Sequence, residues 1–195
     1  TSDAGQEALG AEMVKLAVKY RSFDAPVERA WAARRYPKGT MSSFVLLSHV
    51  KHAEMGVERW VMKGRGVVLG NAICPVQSAR APDGDEGTHV AWENMSSQLA
   101  ALEEGRLVDF YALSHGLRIE SVDIEAAYLQ QLWPEEWPPH FVTIPRDLWH
   151  LLPAELQPAP GLRSPVWRMR KCIYGHPASG HLFVKGCLDH LKSRG

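Results

Sequence analysis

Ser121-Val122-Asp123-Ile124-Glu125-Ala126-Ala127-Tyr128-Leu129-Gln130 is the stretch from which the rest of this chain is best approached. Residues 117–122 read as a short strand, which delivers Asp123 at its end. A carboxylate there offers hard oxygen to a cation such as Mg²⁺. The Ile124 carbonyl adds a second oxygen, and the Tyr128 ring is placed to pack under a sugar. Taken alone, the pattern fits equally well an ordinary strand-end aspartate followed by a core aromatic.

Working outward, residues 7–20 carry Leu9, Met13, Leu16, Ala17 and Tyr20 at helical spacing. Tyr36-Pro37-Lys38-Gly39 is turn chemistry, and residues 43–50 are rich in strand-forming side chains. A second strand-like stretch, 57–69, is interrupted by Lys63-Gly64-Arg65-Gly66. The two predict a hairpin with a basic arm whose glycines let backbone approach a ligand closely. A polar loop at 79–88 marks an internal boundary. A helix over 93–115 follows, turning Leu99, Leu102, Leu107, Phe110, Tyr111 and Leu113 toward a core, with Gly116 as its stop. Beyond the central stretch a proline-rich connection holds Trp133, Trp137 and Trp149, with strand character only at 141–144. A strand at 166–170 and a closing helix at 178–192 complete the pattern.

The chain has 195 residues, 45% hydrophobic and 23% charged, proportions that exclude disorder and fibrous repeats. Its apolar runs are far shorter than the roughly 18 residues of a membrane span. Neither a signal peptide nor a membrane partner is expected, and a piece of a longer product is. Cys74, Cys172 and Cys187 form no Cys-x-x-Cys pair, which suits a reducing intracellular compartment, cytoplasmic or nuclear. The net charge is zero but uneven. Residues 1–80 carry 12 basic and 7 acidic side chains, 81–157 carry 3 and 14, and 158–195 carry 7 and 1. Basic ends around an acidic middle suit phosphate and metal respectively, and suit solvated faces as well.

Three stretches together resemble the copia-type retrotransposon reverse transcriptases. VDIEAAYLQ is similar to that family's first catalytic motif. Lys63-Gly64-Arg65-Gly66-Val67-Val68-Leu69-Gly70 is similar to its basic finger strand. The run from Val166 through Ile173-Tyr174-Gly175 to Gly180 is similar to the block that precedes the long palm helix. Sixty positions separate Lys63 from Asp123, and 51 separate Asp123 from Tyr174, as in the family. The resemblance implies an α+β fold. This comprises the fingers and partial palm of a right-hand polymerase over residues 40–195, an antiparallel sheet with packed helices, preceded by a helical lead-in at 1–39. It implies Asp123 as the metal-binding catalytic aspartate and Tyr128 as the steric gate against a ribose 2′-hydroxyl. Lys63 and Arg65 would lie near the triphosphate, and Ile124, Ala127, Tyr174 and Gly175 would line the nucleotide side. Implied partners are deoxynucleoside triphosphates, a primed RNA or DNA template and the rest of the Pol polyprotein, with two Mg²⁺ ions as cofactor.

The departure from the family is an absence: its Tyr/Phe-x-Asp-Asp turn has no counterpart here, because the chain contains no Asp-Asp pair. Two-metal transfer needs carboxylates holding ions about 3.5–4 Å apart, so this chain alone is expected to be inactive and marginally stable. A non-enzymatic remnant of a decayed element and an unrelated soluble interaction domain are the rival readings. His49, His52, His176, His181 and His190 match no zinc spacing. Cys172 reads as a small buried residue.

Overall fold

The computed structural model describes residues 2–78 and 101–194. Its elements, in chain order, begin with α1 (Asp3–Val14), capped by the Ser2 hydroxyl and prolonged by a π turn over Lys15–Lys19. Then come β1 (Val27–Glu28), α2 (Arg29–Arg35), β2 (Thr40–Lys51), β3 (Val61–Val68), β4 (Cys74–Pro75), α3 (Leu102–Ser114), β5 (His140–Thr143), β6 (Pro165–Arg168) and α4 (Pro177–Ser193). The result is an α+β fold, a single six-stranded sheet with packed helices.

The sheet runs β1-β6-β5-β2-β3, with β4 also on β2. It is not wholly antiparallel as expected, because β2 and β5 pair in parallel, Thr40 opposite His140 through Ser43 opposite Thr143. β2 is long enough to serve two structures. Its first four residues lie inside the sheet, and from Phe44 to Lys51 it pairs with β3 as a two-stranded arm. Burial follows this division, since Thr40, Met41 and Ser42 are buried whereas Leu47, Ser48, His49 and Lys51 are exposed.

Period-two alternation sends neighbouring side chains to opposite faces of the sheet. One face carries Phe44, Val142 and Trp167 into the main core with Met13, Leu16, Phe23, Leu129, Met169 and Ile173. The other carries Met41, Phe141 and Val166 under α2, with Ala32, Cys74 and Val76. Residues of the 1–39 lead-in thus serve both cores, and β1 pairs with β6. Trp167 is fully buried, and its indole N–H donates to the Leu156 carbonyl at 2.9 Å, which leaves no polar group unpaid.

Two expectations fail in the middle of the chain. Residues 117–124 form no strand. Residues 121–125 are exposed throughout, and among the described residues no strand pairs with 117–125 to supply the ladder that a strand needs. The helix expected at 93–115 is described as α3, but Leu102, Leu107, Phe110, Tyr111 and Leu113 are exposed rather than turned into a core, each more than half accessible. Its earlier part, with Leu99, and the loop at 79–88 lie outside the described residues. No helix among the described residues is long and apolar enough to cross a membrane.

Candidate functional site

The β2–β3 arm sets out the basic residues. Cross-strand register places Leu47 opposite Arg65 and His49 opposite Lys63, and directly opposed side chains share a face. That face is exposed at all four positions. On the other face lie Gly64 and Gly66, and the helix α1 occupies it. A Cβ on Gly64 would collide with the Ala8 carbonyl, and one on Gly66 with the Leu16 side chain. The glycines therefore admit a helix, not a ligand, which corrects the reading of a glycine-loosened arm. Glu12 of α1 is nearly buried there. Its carboxylate accepts the Gly66 N–H at 3.3 Å and faces Lys15 at 3.6 Å.

The end of β3 meets the turn before α4. The Val68 N–H donates to the Tyr174 carbonyl at 2.8 Å, and Gly175, at φ +89°, packs directly on the Val68 carbonyl. Only glycine adopts that backbone conformation without strain. Arg65 then lies over the Tyr174 ring, its guanidinium carbon 5.2 Å from the centroid. Tyr174 in turn packs on Tyr128 at 5.0 Å, and Tyr128 on Phe183 at 5.9 Å. Burial raises the Tyr174 phenol above its ordinary range, with Arg65 working in the opposite direction. Arg65, Tyr128, Tyr174 and Gly175, drawn from three separate stretches, thus share one locus.

The remaining expected residues stand apart from it. Lys63 is one rung farther out on the arm, roughly 7 Å along the strand from Arg65, and exposed. Asp123 and Ile124 are exposed, Ala127 is half-buried, and Asp123 makes no hydrogen bond or ion pair among the described residues. Ala126 takes a left-handed conformation at φ +50° and starts a short 3-10 turn that drives Leu129 into the core.

A contact missed from sequence holds this segment. Glu125 accepts from Lys19 at 2.8 Å and from the Tyr20 hydroxyl at 3.5 Å. The hydrogen bond from Lys19 lowers the Glu125 carboxyl and raises the lysine, both side chains being exposed for more than half of their surface. No sequence signal links residues more than a hundred positions apart, so the pairing had none to offer.

Among the described residues, the carboxylates do not form a metal site around Asp123. Glu125 is committed to Lys19, and Glu120 faces Arg118 at 3.2 Å. Among the described residues no group of three acids, histidines or cysteines is arranged to hold a metal ion. The described residues by themselves do not supply a two-ion centre. Searches for resemblance found no matching family model, no matching curated protein and no matching solved structure.

Proposed function

We propose that this chain is the fingers and the first part of the palm of a copia-type reverse transcriptase, the part that holds nucleotide and primed template. The observation that supports it most is the packing of Arg65 over the Tyr174 ring and of Tyr174, tilted, against Tyr128, which joins the three family-like stretches. In this reading Arg65 and Lys63 grip phosphate, Tyr128 packs under the sugar, and Gly175, seated on the Val68 carbonyl, holds Tyr174 beside them on the nucleotide side. Ile124 and Ala127 line the approach. RNA-directed DNA synthesis, a nucleotidyl transfer with Mg²⁺, belongs to the complete Pol product, because the carboxylates described here do not hold two ions. Asp123 is the one acid this chain would contribute. The isolated carboxylate also favours a second reading, a non-enzymatic remnant that keeps only weak nucleic-acid binding.

The test has two arms. Binding of a fluorescein-labelled primed template and of a deoxynucleoside triphosphate is measured by anisotropy. Arg65→Ala and Tyr174→Leu should weaken it at least fivefold, while Lys38→Ala in the remote turn should not. Equal affinity in all variants refutes the reading. The coding sequence beyond Gly195 is read for a Tyr/Phe-x-Asp-Asp run, whose presence supports the polymerase and whose replacement by a stop codon supports the remnant.

A further inference from the structure

We infer that His176 and His140 form a proton-sensitive latch that fixes the first turn of α4, and with it Tyr174 and Gly175, only while both imidazoles are neutral. The latch regulates the locus described above and does not require the polymerase reading.

The argument begins with a helix cap. His176 is the N-cap of α4, and the Ala178 N–H donates to its Nδ1 at 3.1 Å. A ring nitrogen accepts only when it carries no proton, so this cap exists for the neutral ring with its proton on Nε2. Adding a proton turns the acceptor into a donor. It also places positive charge at the positive end of the helix dipole.

The second imidazole multiplies the cost. His140 is wholly buried, with Thr40 Oγ1 2.8 Å from Nδ1 and Ser42 Oγ 2.8 Å from Nε2. Hydroxyls both donate and accept, so the neutral ring is satisfied at both nitrogens. The His140 and His176 rings lie 4.5 Å apart, and Trp133 packs against both, at 5.8 and 4.9 Å. Among the described residues, Thr40 and Ser42 from β2, Trp133 from the loop before β5 and the Ala178 backbone face the pair, and none of these is a carboxylate that would offset a charge. Burial pushes His176 down to about 3, and burial, then the charge of His176, holds His140 well below its ordinary value.

Opening of this turn reaches the candidate site through the backbone. Ile173 accepts from the Ser179 hydroxyl at 2.6 Å, Tyr174 accepts from Val68, and Gly175 lies on the Val68 carbonyl. The sign follows from linkage. With folded values below the unfolded value of about 6.5, the open state takes up protons first. The latch is therefore fully present above about pH 6.5 and is lost as pH falls. Each proton taken up changes the opening equilibrium about tenfold per pH unit below that point.

Hydrogen exchange of the full chain at pH 7.5 and 5.5, corrected for intrinsic rates, provides the test. Protection of residues 173–182 should fall about tenfold or more relative to β6, since one of those two pH units lies below 6.5. His176→Asn keeps a good cap that cannot be protonated there and leaves only the His140 proton, so its loss of protection should be about tenfold smaller than that of the wild type. Unchanged protection in the wild type, or the same loss in His176→Asn, overturns the latch. Should the variant fail to fold, proton NMR of the wild type decides instead. Both imidazoles should stay untitrated in the folded chain from pH 8 to 5, and a His176 midpoint near 6.5 overturns the inference.

Discussion

Replacing Gly175 by alanine separates two costs that this fold combines at one position. A side chain at φ +89° carries a left-handed backbone penalty of about 1–2 kcal/mol. The new Cβ would also overlap the Val68 carbonyl oxygen, lie 2.6 Å from Val67 Cγ1 and 3.1 Å from the Val68 carbonyl carbon. Backbone on both sides cannot yield without breaking the hydrogen bond from Val68 to Tyr174, so overpacking adds roughly 1–3 kcal/mol. The total is about 2–5 kcal/mol, which in a chain of this length lowers the melting temperature by on the order of 5–15 °C. Gly116 supplies the control. It has φ +64° with open space around it, so Gly116→Ala bears the backbone penalty alone. Circular dichroism melts of both variants measure the difference. Equal losses for the two would refute the close packing of β3 on the turn before α4.

Three further outcomes follow from the same geometry. Leu129→Ala should cost about 2–5 kcal/mol in urea unfolding, because Leu129 is fully buried at the end of the central stretch. A loss under 1 kcal/mol would mean that the 3-10 turn at 127–130 is not docked. Glu12→Ala should cost about 1–3 kcal/mol by leaving the Gly66 N–H unmet under α1, whereas Glu12→Gln should recover most of it, as measured by the same unfolding curves. Iodoacetamide at pH 8 should label Cys187 in the native chain and spare Cys74 and Cys172, both buried, with burial pushing the Cys172 thiol up to about 12. Mass spectrometry showing rapid labelling of Cys172 would contradict its burial.

The sequence by itself determined what depends on neighbours along the chain. Strand-forming runs at 43–50, 141–144 and 166–170, the turn at Tyr36–Gly39 and the helices at 7–20 and 178–192 all correspond to described elements, because alternation, turn chemistry and helical spacing are local. The sequence also singled out Arg65, Tyr128, Tyr174 and Gly175, which the fold brings together. Tertiary structure alone decided the rest. Residues 117–122 have strand chemistry, yet a strand exists only where another backbone offers its hydrogen bonds, and none of the described residues does. Gly64 and Gly66 read as looseness until α1 occupies the face they leave open. His140 finds Thr40 and Ser42 across 100 and 98 positions, and Glu125 finds Lys19 across 106. Such pairings depend on how strands and helices pack, and periodicity in one segment carries no record of which distant segment will lie beside it.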